Sequence, residues 1–197
     1  MSHGGNVPFI TITGQPGSGK TFLETRILEA RPDIRMFEGR SYTTRFPRPG
    51  DLPGEYEHVT RKEFRKMRAN AEFAWVFPHG DYHVATRKRD LTEAMRSGKV
   101  WMMTLVPEAV ARLTAFVGKE SLVSFYLEAP EEQMISRIRE RGDDMEKALK
   151  RFEDTRSWKR QMHVLGLEFF PIDTSDEDPP AKTALSAVLR VLSLHGI

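Results

Sequence analysis

The 197-residue chain contains no cysteine. Disulfides, thiolate-bound metals and a cysteine nucleophile are therefore excluded, and the composition fits a cytoplasmic protein. No apolar run approaches the roughly 20 residues that a helix needs to cross a bilayer. The opening "MSHGGNVP" has neither the basic region nor the apolar core of a signal peptide, and its first six residues read as a flexible lead-in. An excess of one charge is missing too: Lys+Arg 30 against Asp+Glu 28 leaves a formal +2, so no global basic field points to nucleic acid or a membrane surface. Repeats and low-complexity tracts are absent. With 39% hydrophobic and 29% charged residues the chain has the makings of one globular domain, and any anion site has to be local.

Apolar runs alternate with amphipathic stretches, which predicts an α/β fold with a mainly parallel sheet. Strands are expected at 8–13, 100–106, 121–129 and 167–173. Helices are expected at 20–30, from Pro107, at 131–141 and in the final stretch 180–195. Residues 41–90, rich in Pro, Gly, His and Trp, and the charge-dense 139–154 read as insertions.

"GQPGSGKT", Gly14 to Thr21, satisfies G-x-x-x-x-G-K-[ST] between a buried strand and a helix. Glycines (Gly14, Gly17, Gly19) let the backbone wrap an anion with its N–H groups inward, together with Ser18, and the helix N-terminus adds positive potential. Lys20 reaches the β and γ phosphates of ATP and Thr21 offers a hydroxyl to Mg²⁺.

"SYTTRFPRPG", 41–50, holds Arg45 and Arg48 on a proline-stiffened turn among the hydroxyls of Ser41, Tyr42, Thr43 and Thr44, a pattern suited to phosphate. Solvated surface arginines are the equally plain alternative. "SYTTRFPRPGDLPGEYEHV" followed by "TRKEFRKMRANAEF" resembles the GMP-binding segment of guanylate kinases, S-x-T-T-R-x-P-R-x-G-E and then E-F. The resemblance runs from the P-loop to the last helix. It implies a P-loop fold with a five-stranded parallel sheet flanked by helices: a core at 7–40, 91–136 and 156–197, an acceptor-binding insertion at 41–90 and a helical lid at 137–155. It also implies that Ser41, Arg45 and Arg48 grip the acceptor phosphate, with Tyr56 (or Glu57) and Tyr82 beside it. "RIRERG", 137–142, is similar to the family's R-L-x-x-R-G and assigns Arg137 and Arg141 to the transferring phosphoryl. Arg151 resembles a third family arginine, and Arg139 reads as solvated.

The chain departs from the family where guanine is read. "EFAWVFPHGDYHVAT" keeps Glu72, Phe73 and Trp75 but lacks the base-reading glutamate of E-F-x-E-W. The N-Y-Y-G-[ST] element becomes Asp81, Tyr82, His83, Val84 and Ala85. Thr104 and Val106 stand where the family's third core strand carries acids, leaving open whether another acid such as Glu128 serves. His58, His79 and His83 read as polar pocket lining rather than metal ligands.

The implied function is transfer of the γ-phosphoryl of ATP to a nucleoside monophosphate, GMP-like with base choice open. The implied catalytic residues are Lys20, Arg48, Arg137 and Arg141, and the partner is a small phosphorylated acceptor, with the chain a monomer or homodimer. A sugar-phosphate kinase similar to ribose 1,5-bisphosphokinases is the first alternative. A non-catalytic guanylate-kinase-like module for phosphorylated protein segments is the second.

Overall fold

Two-sided burial fixes the central strand. All six residues of β1, Phe9–Gly14, are buried, as a parallel strand covered on both faces requires. Its two threonines are accommodated because their hydroxyls are satisfied: Thr11 donates to Ser124 Oγ at 2.9 Å and Thr13 to the Leu105 carbonyl at 2.9 Å. The computed structural model describes residues 7–37, 41–47, 56–79, 82–175 and 182–197. Residues 1–6 and Arg48 lie outside them.

The chain divides into two compact units, Met1–Arg35 with Val100–Ile197, and Met36–Lys99. After β1 come α1 (Lys20–Ala30) and β2 (Ile34–Met36). The first unit resumes with β7 (Val100–Thr104), α4 (Pro107–Val117), β8 (Leu122–Glu128), α5 (Glu131–Glu140), α6 (Met145–Thr155), α7 (Trp158–Val164), β9 (Phe170–Asp173) and α8 (Lys182–Leu194). The sheet is five-stranded and parallel, in the order β2-β7-β1-β8-β9. Its core gathers Ile10, Ile12, Met102, Val123, Phe125 and Leu127 with Leu23 and Ile27 of α1 and Ala184, Val188 and Leu192 of α8. Those helical spacings of four present one apolar face, and burying each large side chain contributes about 1.5–3 kcal/mol.

The second unit holds β3 (Ser41–Thr43), β4 (Tyr56–His58), α2 (Arg61–Ala69), β5 (Phe73–His79), β6 (Tyr82–Arg87) and α3 (Lys88–Arg96). Its sheet runs β4-β3-β6-β5, with β3–β4 parallel and the other pairs antiparallel. Phe64 of α2 packs on Phe73 with ring centroids 4.8 Å apart. Helix α2 starts at a capping box in which Thr60 and Glu63 satisfy each other's backbone N–H.

The predicted strand at 167–173 is shorter than expected. Helix α7, which the sequence reading lacked, ends in a turn where Leu167 N–H donates to the Met162 carbonyl at 3.0 Å. That turn holds Leu167 and Phe169 against buried Met162 and Tyr126, so pairing with β8 begins only at Phe170. Among the described residues no helix is long and apolar enough to cross a membrane.

Candidate functional site

The loop after β1 is held in an anion-ready shape by its own packing. Gly17 and Gly19 have φ of +79° and +82°, a region L side chains avoid. A Cβ on Gly17 would stand 2.3 Å from the Met134 carbonyl oxygen, and one on Gly14 2.8 Å from the Leu127 carbonyl oxygen, so a side chain at either position would force the backbone to shift. Ser18 is fully buried and its hydroxyl has no partner among the described residues. The Lys20 ammonium donates to the Gly14 and Gln15 carbonyls, both at 2.8 Å. Burial lowers its pKa from the usual 10.5 to about 8, opposed by Glu24 and aided by Arg151 and Arg141. Arg141 and Arg151 therefore stand within electrostatic reach of Lys20.

Arg137, in the last turn of α5, is braced against the same loop. Its guanidinium donates to the Thr174 carbonyl at 2.7 Å and to the Gly17 carbonyl at 3.4 Å. Thr174 in turn donates to the Ser18 carbonyl at 3.0 Å. Thr174 was not singled out by sequence; a hydroxyl just past a strand end gave no pattern to find it by. Arg141 is exposed and paired with Asp143, and Arg139 is exposed as expected. Helix α6 reaches the loop through Gln15 Nε2, which donates to the Phe152 carbonyl at 3.3 Å. Thr21 is exposed at the first turn of α1, and its hydroxyl has no partner among the described residues.

The second unit builds its own cationic feature. Arg45 lies with its guanidinium carbon 4.4 Å from the Tyr56 ring centre, and Ser41 pairs across the sheet with Tyr56. His58 Nδ1 meets the Arg45 carbonyl at 2.9 Å. Two of the neighbouring hydroxyls also tie the turn to the sheet. Thr43, fully buried, donates to the His83 carbonyl at 2.9 Å, and the Thr44 hydroxyl accepts from His83 N–H at 3.0 Å. These threonines anchor the turn to β6. The Tyr42 hydroxyl accepts from Arg87 at 3.1 Å. Tyr82 is half-buried at the start of β6, and the His83 ring packs 5.4 Å from Phe64. Among the described residues no group of three or more His, Asp or Glu is arranged to hold a metal.

A cavity of about 790 Å³ lies elsewhere, lined by Leu122, Ser124, His163, Phe170 and His195. It opens at the N-terminal ends of β8 and β9, whereas ligands of such sheets bind at the C-terminal ends, and none of the residues above lines it.

The guanylate kinase family profile matches residues 7–171. A guanylate kinase of Nostoc sp. is 31% identical over 180 residues, covering 91% of this chain and 86% of its own. One from Dechloromonas aromatica is 29% identical over 185 residues, with coverages of 93% and 88%. Among solved structures, a guanylate kinase from Anaplasma phagocytophilum superposes with a TM-score of 0.61 at 20% identity, covering 94% of this chain and 86% of that one. That likeness speaks for the fold.

Proposed function

Because the chain belongs to the guanylate kinase family, we propose that it is an ATP-dependent phosphotransferase that moves the γ-phosphoryl of ATP onto the phosphate of GMP. The observation that carries the reading is the intact loop Gly14–Thr21, with a half-buried Lys20 folded over its carbonyls and Arg137 braced on its rim. A glycine-rich loop at a helix N-terminus with one ammonium and one guanidinium is suited to a triphosphate. Lys20 exchanges its two carbonyl partners for phosphate oxygens. Arg137 and Arg141 neutralise charge that builds on the transferring group, and segment 137–155 serves as the lid that brings them in.

Ser41, Arg45 and Tyr56 hold the acceptor phosphate, with Arg48 and Tyr82 assigned there by the family pattern. The stacking of Arg45 on Tyr56 fixes the guanidinium plane, so less freedom is lost when it meets a phosphate. No general base is needed, because the attacking phosphate oxygen is already anionic and positioning supplies most of the rate. The donor set also suits Mg²⁺: a hard cation takes one or two protein oxygens and completes its shell with phosphate and water, and Thr21 presents a hydroxyl at the head of α1. When bound, the ion draws charge from the β and γ phosphates.

The relatives compared are guanylate kinases, which favours a nucleotide over a sugar phosphate as acceptor. A complete P-loop argues against a module that only binds phosphorylated segments. The reading is tested by incubating ATP, Mg²⁺ and GMP with the protein and resolving the products: GDP and ADP in equal amounts are expected, and ADP without GDP would contradict it.

A further inference from the structure

Strand β7 ends at Thr104 and the chain runs on through Leu105 to Val106, so the strand beside β1 brings no carboxylate to the phosphate loop. Thr104 pairs in register with Ile12 of β1, two residues before the loop begins, and is exposed there. Its hydroxyl donates to a carboxylate oxygen of Glu24, in the second turn of α1. Glu24 follows Thr21 by three residues and Lys20 by four, spacings that place all three on one helix face. The other Glu24 oxygen has no partner among the described residues, and the residue is only half-buried. Glu24 is also near enough to Lys20 to oppose the effect of burial on that ammonium. Glu128, the acid suggested by sequence, is engaged instead with Lys159, its Oε2 lying 2.5 Å from Nζ.

We propose that Glu24, aimed by Thr104, is the carboxylate that positions Mg²⁺ on bound ATP, replacing from the helix the acid that the strand lacks. The proposal rests on reading the loop as an ATP site. Thr104 suits the exchange: it is neutral and donates, so it orients the carboxylate, whereas an acid at 104 would repel Glu24. Contact with the ion through its water shell fits the reluctance of Mg²⁺ to dehydrate.

ATP binding measured by calorimetry, in EDTA and then with Mg²⁺, separates the ion's contribution from turnover. In the unaltered protein Mg²⁺ is expected to tighten ATP. In Glu24→Gln, binding in EDTA is unchanged or tighter, while the gain from Mg²⁺ shrinks by about 10- to 100-fold, the usual cost of disturbing a metal's supporting groups. Thr104→Val, which keeps the carboxylate but frees it, loses part of the gain, and Glu24→Gln with Thr104→Asp restores part of it by returning an acid to the strand. A Glu24→Gln protein with an undiminished Mg²⁺ gain would overturn the proposal while leaving the ATP site standing. An unaltered protein that binds no ATP in either condition would overturn the ATP-site reading and the proposal together.

Discussion

Lys20 shows how one half-buried side chain sets the conditions for binding. Phosphate needs the ammonium form, and burial has brought the free protein's pKa down to about 8. Above that pH nucleotide binding has to take up a proton, so affinity falls by up to about tenfold per pH unit, while below pH 7 this group contributes no slope. Calorimetry in buffers of differing ionisation heat reads both the affinity and the proton uptake, and a flat profile to pH 9.5 would contradict the burial argument. The effect on stability has the opposite sign. The folded pKa is depressed, so the unfolded chain binds the proton more tightly, and stability from this group rises as pH climbs from about 8 to 10.5. For the acceptor, Arg45→Ala is expected to raise KM by about 10- to 100-fold with kcat nearly unchanged, the pattern of lost uniform binding. Lys20 was legible because its motif fixes its chemistry. The anchoring bonds of Thr43 and Thr44 were not legible, because nothing local shows that a hydroxyl is bonded to a strand some forty residues away.

Among elements, β3 and its turn depend on that long-range anchoring. Thr43→Val removes a buried hydroxyl that donates to the His83 carbonyl and accepts from Arg45 N–H, leaving that carbonyl only the Thr44 N–H, so urea denaturation should show a loss of about 1 kcal/mol. An unchanged midpoint would mean that the threonine does not anchor the turn. The capping box of α2 is a more local device, and Thr60→Ala should cost about 1 kcal/mol. Helix α6 shows why a charge-rich segment is deceptive. Residues 139–154 read as a charge-dense insertion, yet Ala148 and Phe152 are four apart and buried with Met134 and Ile138 of α5, so two apolar positions among many charges are enough to dock it. Helix α7 escaped notice for a similar reason: its seven residues present only Met162 as a fully buried side chain.

For the molecule as a whole, legibility followed the range of the contacts. The parallel sheet was evident because strands buried on both faces are continuous apolar runs. The second sheet was not, since β3 and β4 have three residues each and exist through pairing partners distant in sequence. The residues proposed to handle phosphate stand out by their spacing, whereas the contacts of Thr174 with the loop and of Glu24 with Thr104 became visible only once the strand ends were brought together. The missing guanine readers have a consequence for substrate choice. Losing the family's polar partners for the base weakens discrimination, so kcat/KM for GMP should exceed that for IMP by less than about 100-fold. The central claim, phosphoryl transfer at the Lys20 loop, is met most directly by ADP release from ATP and Mg²⁺, with GMP, AMP or ribose 1,5-bisphosphate as acceptor and Lys20→Ala alongside. The account predicts GMP-dependent release that falls at least about 100-fold in Lys20→Ala. Release only with the sugar phosphate, or undiminished turnover by Lys20→Ala, would contradict it.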